Sequence, residues 1–393
     1  MTRLLKRYMG NVLFILYILI ITIDPTNTIT HLKNIVFFLL LAYNAAVYKP
    51  DFKMLPAFLL VLLPVAFGYL SASVQMNAMG QEELVATFKA VAPLLLLFWV
   101  RHYDVVRLSF IPALTAASVM LVLHLCVYLI QDMEFLLYAY SAAHNGMLMI
   151  STRPFLGFNV FGIYCNSFYC LLFALYTLLF RLLRDRQLAC LPLVLLLSIP
   201  FVLGGTRSVI LLPFILLGIV AYVSTSRGRY AKYLGYPVLA IFFLALVVVV
   251  ILLATQEGDI SNRLKYGHLL SYMELFSQHP EYLLFGQGPA TSFYTEGFAR
   301  MTTQTEWSYL ELLRNFGLGS LLILAVYVYP LWGMYRRRDN DYVKGAMVTY
   351  FIYLLIAGTN PLLLTSTGTF VLLCAYSILE KDSRDRQERG VVA

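Results

Sequence analysis

The residues best placed for chemistry lie in one stretch, Glu306-Trp307-Ser308-Tyr309-Leu310-Glu311-Leu312-Leu313-Arg314-Asn315-Phe316-Gly317-Leu318-Gly319. A carboxylate can take the proton of an attacking hydroxyl, and an arginine fork can hold a phosphate through two parallel hydrogen bonds. Glu311 and Arg314 stand three residues apart, neighbours on one helix face, and read mainly as partners for each other. Glu306 is then the candidate catalytic base. Its plainer alternative is a carboxylate that stabilises the first turn of a helix. Just upstream, Phe285-Gly286-Gln287-Gly288-Pro289 predicts a tight turn whose amides could face an anion.

The elements that must position these groups follow from composition. With 60% hydrophobic and 13% charged residues among 393, the chain cannot hide its apolar side chains in one soluble core. It reads as an all-α polytopic membrane protein, a single transmembrane domain over 1–393. Apolar runs close to the ~20 residues that cross a bilayer fall at 9–24, 32–48, 54–71, 84–100, 108–130, 159–180, 188–204, 207–223, 234–254, 307–334, 342–359 and 361–379, about twelve spans. Two outer connections are long, 131–158 and 255–306, and long loops of this kind are usually functional. In the second, Asn262 to Gln278 mixes apolar and polar residues as an amphipathic helix would, lying on the outer surface as a lid until His279-Pro280 ends it.

Basic residues set the orientation. Arg3, Lys6 and Arg7, then Lys49 and Lys53, Arg101 and Arg107, Arg181, Arg184 and Arg186, Arg227, Arg229 and Lys232, Arg336, Arg337, Arg338 and Lys344, and finally Lys381, Arg384, Arg386 and Arg389 recur at every second connection. The positive-inside rule places that side, with both termini, in the cytoplasm. This anchoring accounts for the net charge of +8 and gives no reason to expect nucleic acid. No cleavable signal peptide is expected, because Arg3, Lys6 and Arg7 lead directly into a full-length apolar run.

The rule does not ask for the remaining cations, Lys33, Lys89, Arg153, Arg207, Arg263, Lys265, Arg300 and Arg314. Some can snorkel to an interface. Arg207 and Lys89 resist that reading, since a cation inside an apolar run costs about 2.5–3.5 kcal/mol and usually faces a cavity. The five cysteines, all in expected spans, show no CxxC, and the six histidines show no HExxH. Asp132-Met133-Glu134 and Glu257-Gly258-Asp259 are acid pairs of a kind common in loops. Neither a metal nor an organic cofactor is expected.

Four phrases, in order, resemble those of the Wzy-type O-antigen polymerase and O-antigen ligase family of bacterial envelope enzymes. They are Phe155-Leu156-Gly157-Phe158-Asn159, Leu203-Gly204-Gly205-Thr206-Arg207-Ser208, His279-Pro280 through Phe285-Gly286-Gln287-Gly288-Pro289, and Glu306 to Gly319. The resemblance covers roughly 155–320. It implies a GT-C-like glycosyltransferase of the bacterial inner membrane with its active site facing the periplasm. That enzyme would transfer a growing glycan from undecaprenyl diphosphate to the non-reducing end of another lipid-linked repeat unit, with inversion. Its partners would be the lipid-linked donor and acceptor, membrane lipids and a chain-length regulator.

Ligases usually carry histidine eleven residues before the first glycine of the last phrase, and here that position, counted from Gly317, is Glu306. The departure favours the polymerase branch. Within it, Arg207 and Arg263 are expected to grip the diphosphate, with Arg314 and Arg153 secondary and Arg300 and Lys89 as further cations. Tyr266, Tyr294, Trp307 and Tyr309 are the candidate sugar contacts, and Gly286, Gly288 and Pro289 form the loop motif. The competing readings are a ligase using lipid A core as acceptor, a protein O-oligosaccharyltransferase, and a multi-pass lipid or solute transporter. Against the transporter, no pair of corresponding Gly/Pro-broken helices suggests inverted repeats.

Overall fold

The computed structural model describes residues 3–75, 81–144, 148–155, 158–204, 207–225, 244 and 260–388. The expected span at 234–254 apart from Leu244, the Glu257-Gly258-Asp259 pair, Leu156-Gly157 and Gly205-Thr206 lie outside the described residues.

The chain is mostly helical. The first helices are α1 (Arg3–Ile23), α2 (Lys33–Val47), α3 (Leu55–Val74) and α4 (Gln81–Val91), and a 3-10 segment, Ala92–His102, continues α4. Next come the short α5 (Val105–Leu108), α6 (Phe110–Leu129), α7 (Met133–Ala143) and the hairpin β1 (Met149–Phe155) and β2 (Phe158–Tyr164). After a 3-10 turn at Asn166–Leu171 follow α8 (Leu172–Leu183), α9 (Leu191–Val202), α10 (Arg207–Ile210) and α11 (Leu212–Thr225). The last part comprises α12 (Ile260–Gln278), α13 (Glu281–Phe285), the small hairpin β3 (Phe293–Thr295) and β4 (Arg300–Thr302), α14 (Ser308–Phe316), α15 (Gly319–Tyr335), α16 (Asp341–Gly358) and α17 (Ser366–Glu388).

Three helical stretches among the described residues, Leu5–Ile23, Phe52–Val74 and Val105–Leu129, are long and apolar enough to cross a membrane. Their large outward-facing side chains, such as Leu63, Leu70, Val122 and Leu129, suit a lipid surroundings. Five shorter helices, including Lys33–Val47 and Gly319–Tyr335, are apolar as well. At the centre stands α17, in which every residue from Thr367 to Leu379 is buried, as expected of a helix apolar all round. It packs on the 3-10 segment, on α15 and on α16. Fully buried tyrosines fasten this interior through their hydroxyls: Tyr350 donates to the Tyr327 carbonyl at 2.8 Å and Tyr327 to the Leu363 carbonyl at 2.6 Å. A buried phenol is stabilised by such an acceptor, and here the acceptors are backbone carbonyls, of α15 for Tyr350 and of the loop before α17 for Tyr327.

Three expected spans come out differently. The run 84–100 changes from α-helix to 3-10 at Ala92, where Pro93 sits in the first turn and denies the helix an N–H. The run 159–180 begins as strand β2, paired antiparallel with β1 so that Arg153 faces Val160 and Thr152 faces Phe161, before turning helical at Leu172. Phe158, Val160, Phe161, Ile163 and Tyr164 are aromatic or β-branched, and a short apolar run of such residues cannot be told from a helix by periodicity. The expectation of an all-α chain therefore holds except for two hairpins. The run 307–334 is two helices, α14 and α15, broken at Gly317 with φ +54°. A Cβ there would collide with the Leu284 carbonyl.

Candidate functional site

The two phrases singled out in the sequence pack against each other. The Gln287 N–H donates to the Arg314 carbonyl at 2.6 Å, and the Leu318 N–H to the Leu284 carbonyl at 3.1 Å. On the other side, the Gly286 carbonyl accepts from Ser71 Oγ on α3 at 3.1 Å and from Nε2 of Gln75, just past the end of α3, at 3.2 Å. Gly286 and Gly288 hold φ of +77° and +102°, and both lie so close to backbone or to Ala72 that a side chain would not fit. The expected anion-facing role of this turn is not what its first amides do: Gly286 N–H donates to the Tyr282 carbonyl at 2.9 Å and Gln287 N–H is taken by Arg314.

Arg314 is the bolt of this assembly, with its side chain fully buried. Nη1 donates to Gln287 Oε1 at 2.6 Å, to the Thr291 carbonyl at 3.1 Å and to Thr291 Oγ1 at 3.0 Å. Nη2 donates to the Thr303 carbonyl at 2.8 Å and to Glu311, and the guanidinium lies 4.6 Å over the Phe293 ring. A buried cation needs this many acceptors to offset desolvation. Its fork is occupied by protein groups, which removes Arg314 from the set of phosphate ligands expected from sequence.

Glu311 completes the network. One carboxylate oxygen accepts from Arg314 and from Asn315 Nδ2 at 3.3 Å, the other from the Tyr272 hydroxyl on α12. Because the single phenolic proton goes to the carboxylate, the Thr305 hydroxyl, 2.7 Å away, donates to Tyr272. Burial and the adjacent Glu311 charge push the Tyr272 phenol up, so it stays a donor. A helix stands where the lid was expected, α12, and ends at Gln278 before His279-Pro280; it is tied to Glu311 of α14 through Tyr272, and to Trp307, just ahead of α14, whose Nε1 donates to the Lys265 carbonyl at 2.9 Å.

Beside this network opens a cavity of about 430 Å³. One wall holds Thr303, Gln304, Thr305, Ser308, Glu311 and Asn315, and the other holds Lys33 at the start of α2 and Lys89 near the end of α4. The start of α17 closes it with Thr365 and Ser366. The Thr365 hydroxyl accepts from the Gly368 N–H at 3.1 Å, so the positive end of a long, buried helix points this way. Lys33 feels the attraction of buried Asp24 and, more weakly, the repulsion of Lys89, and among the described residues no carboxylate pairs with Lys89. Lys33 Nζ donates to the Pro25 carbonyl at 2.5 Å. The loop carrying Pro25 is held by buried Asp24, whose carboxylate accepts from the N–H groups of Thr28, Ile29 and Thr30. On the opposite wall, Asn315 Oδ1 is buried without a partner.

The remaining sequence candidates scatter. Glu306 does not line the cavity and faces Lys265 at 3.6 Å, each side chain 28% exposed. Arg263 is exposed on α12, and Arg300 is exposed and lies 5.5 Å over Phe298. Arg153 is placed on β1 and Arg207 opens α10, but their side chains lie outside the described residues. Tyr266 and Tyr294 are exposed, whereas Tyr309 donates to the Leu354 carbonyl at 2.6 Å and serves packing against α16. Of the expected cations Lys89 reaches the cavity. Sequence reasoning noticed Lys33 as a cation on the outer side but gave it no role, and Asp24 it missed.

Compared with models of protein families, with curated proteins and with solved structures, the chain gives no match.

Proposed function

We propose that the chain is a membrane-embedded glycosyltransferase of the O-antigen polymerase kind, using a lipid-diphosphate-linked glycan as donor and a second lipid-linked repeat unit as acceptor at the periplasmic face. The observation that carries the reading is the cavity itself: two lysines and a helix N-terminus on one side, and an acid, a carboxamide and hydroxyls on the other. The cationic wall suits a diphosphate, whose departure needs positive charge more than a proton. The opposite wall suits sugar hydroxyls.

In this reading Lys33 and Lys89 hold the donor diphosphate. An acceptor hydroxyl oxygen attacks the anomeric carbon, the bond from that carbon to the diphosphate oxygen breaks, and the diphosphate leaves on its lipid with the electron pair. The hydroxyl proton passes to a carboxylate. A general base must reach the proton that it removes, which favours Glu311, on the cavity wall, over Glu306. With so good a leaving group, a carboxylate needed only late in bond formation suffices. Asn315 orients the acceptor through its unpartnered amide oxygen.

The test is incubation of purified protein with synthetic lipid-linked repeat units, with and without chelator, followed by a gel. A ladder of lengthened products is the expected result. Product on added lipid A core would make the chain a ligase, product on protein a protein oligosaccharyltransferase, and translocation without a new bond a transporter.

A further inference from the structure

Three elements run from the cavity described above to a second one. Lys33 opens α2, which rises about 21 Å to Val47 at 1.5 Å per residue, and Lys49 follows two residues beyond. Lys89, near the end of α4, and Arg101 lie at the two ends of the 3-10 extension, and Ser366 and Arg384 bracket the buried part of α17. The second cavity, about 810 Å³, is lined by Lys6 and Arg7 of α1, Lys49 after α2, Arg101 and His102 at the end of the 3-10 segment, and Arg384 of α17, with Val47 and Tyr48 between them. Four separate segments thus bring five permanent cations to one concavity, and among its lining residues there is no carboxylate.

The neighbouring acid, Asp51, accepts from Arg101 at 3.5 Å and offsets that one charge. Topology asks for basic residues at this end of the bundle, and any position on the surface would meet that demand. Gathering them around one hollow has a cost instead, because like charges held close together repel. An anion inside removes that cost. His102 stacks on Tyr48 with ring centroids 4.6 Å apart and planes at 16°, giving the hollow one flat side. Burial, with Arg101 and Arg384 nearby, pulls the His102 proton affinity down, so its ring stays neutral and accepts from Arg101 Nε at 3.3 Å. The cations that remain directed at the space are those suited to phosphate oxygens, arginine forks and lysine ammonium groups.

We infer that this basic hollow, at the opposite end of the bundle from the candidate active site, binds a phosphate-bearing anion, the headgroup of an acidic phospholipid or a soluble phosphate. The inference stands independently of the glycosyltransferase reading.

The test uses the purified full chain in mild detergent at fixed ionic strength, titrated separately with short-chain phosphatidylglycerol, short-chain phosphatidylcholine and inorganic phosphate, with binding read by thermophoresis. Saturable binding of phosphatidylglycerol but not phosphatidylcholine is expected; accompanying binding of inorganic phosphate marks a soluble ligand, its absence a lipid one. The double variant Lys49→Gln/Arg384→Gln, two exposed side chains, should weaken binding by about tenfold, as loss of two surface cations near an anion predicts. Arg338→Gln, an exposed cation that lies instead over Tyr335, should leave binding unchanged. The unliganded melting temperature of each variant verifies folding. The inference is overturned if neither anion saturates, if phosphatidylcholine binds equally, or if Arg338→Gln weakens binding as much as the double variant.

Discussion

Glu311 and Arg314 form an ion pair across one turn of α14 in which the guanidinium is fully buried and the carboxylate nearly so. The pair joins α14 to the Gln287 turn, to the β3–β4 hairpin and to α12, so one electrostatic contact fixes the shape of the cavity wall. Removing one partner strands the other. Arg314→Met is expected to cost about 3–5 kcal/mol, seen as a large drop in melting temperature in detergent. The double variant Glu311→Gln/Arg314→Met should recover part of that loss, because no unpaired charge is left. An additive double variant would show that the two residues do not act as a pair.

The choice of base separates the two acids of the same stretch. In the proposed reaction Glu311→Gln should lower polymerisation roughly 10²–10⁴-fold, the usual size of a lost general base, compared per folded protein because the stranded Arg314 also lowers its melting temperature. Glu306→Gln removes a partner of Lys265 that lies off the cavity and should change the rate by less than about tenfold, since a partly exposed ion pair at 3.6 Å contributes little. The reverse ranking on a product ladder would return the role to Glu306.

If Lys33 and Lys89 hold a diphosphate, neutralising either one weakens the donor. Lys33→Gln or Lys89→Gln is expected to raise the donor KM roughly tenfold, in line with loss of one hydrogen bond to a charged group, with a smaller effect on the acceptor KM. Equal change in both constants would point to a general loss of cavity shape.

Gly317 lets the chain break between α14 and α15 with a positive φ. Gly317→Ala should destabilise the protein by roughly 1–3 kcal/mol, and the product ladder should fade in parallel, because the break sets the angle at which Glu311 and Asn315 meet the cavity. An unchanged melting temperature would mean that the break tolerates a side chain.

His268 on α12 is fully buried, and neither ring nitrogen has a partner. Burial pulls its pKa down, partly opposed by Glu306 and Glu311. The folded protein therefore binds this proton less well than the unfolded chain. Stability from the neutral ring is fully present above the unfolded value of about 6.5 and is lost as pH falls from there toward the depressed folded value. A melting curve series from pH 8 to 5 should show this decline, and His268→Phe should flatten it. An identical slope in the variant would place the acid sensitivity elsewhere.

The sequence by itself determined what depends on near neighbours. The three-residue spacing of Glu311 and Arg314 foretold their pairing, His279-Pro280 marked the end of α12, and the apolar runs marked most of the helices. Tertiary structure decided what depends on packing between distant segments. Lys33, Lys89, Ser308, Glu311 and Ser366 meet because α2, α4, α14 and α17 end at the same level of the bundle, and no local pattern encodes that. The same holds for Lys6, Lys49, Arg101 and Arg384 at the other end. Hydrophobic periodicity also could not separate strand from helix at 158–164, or one span from two at Gly317. A helix face is a property of a few adjacent turns, whereas a cavity is a property of how several helices stop.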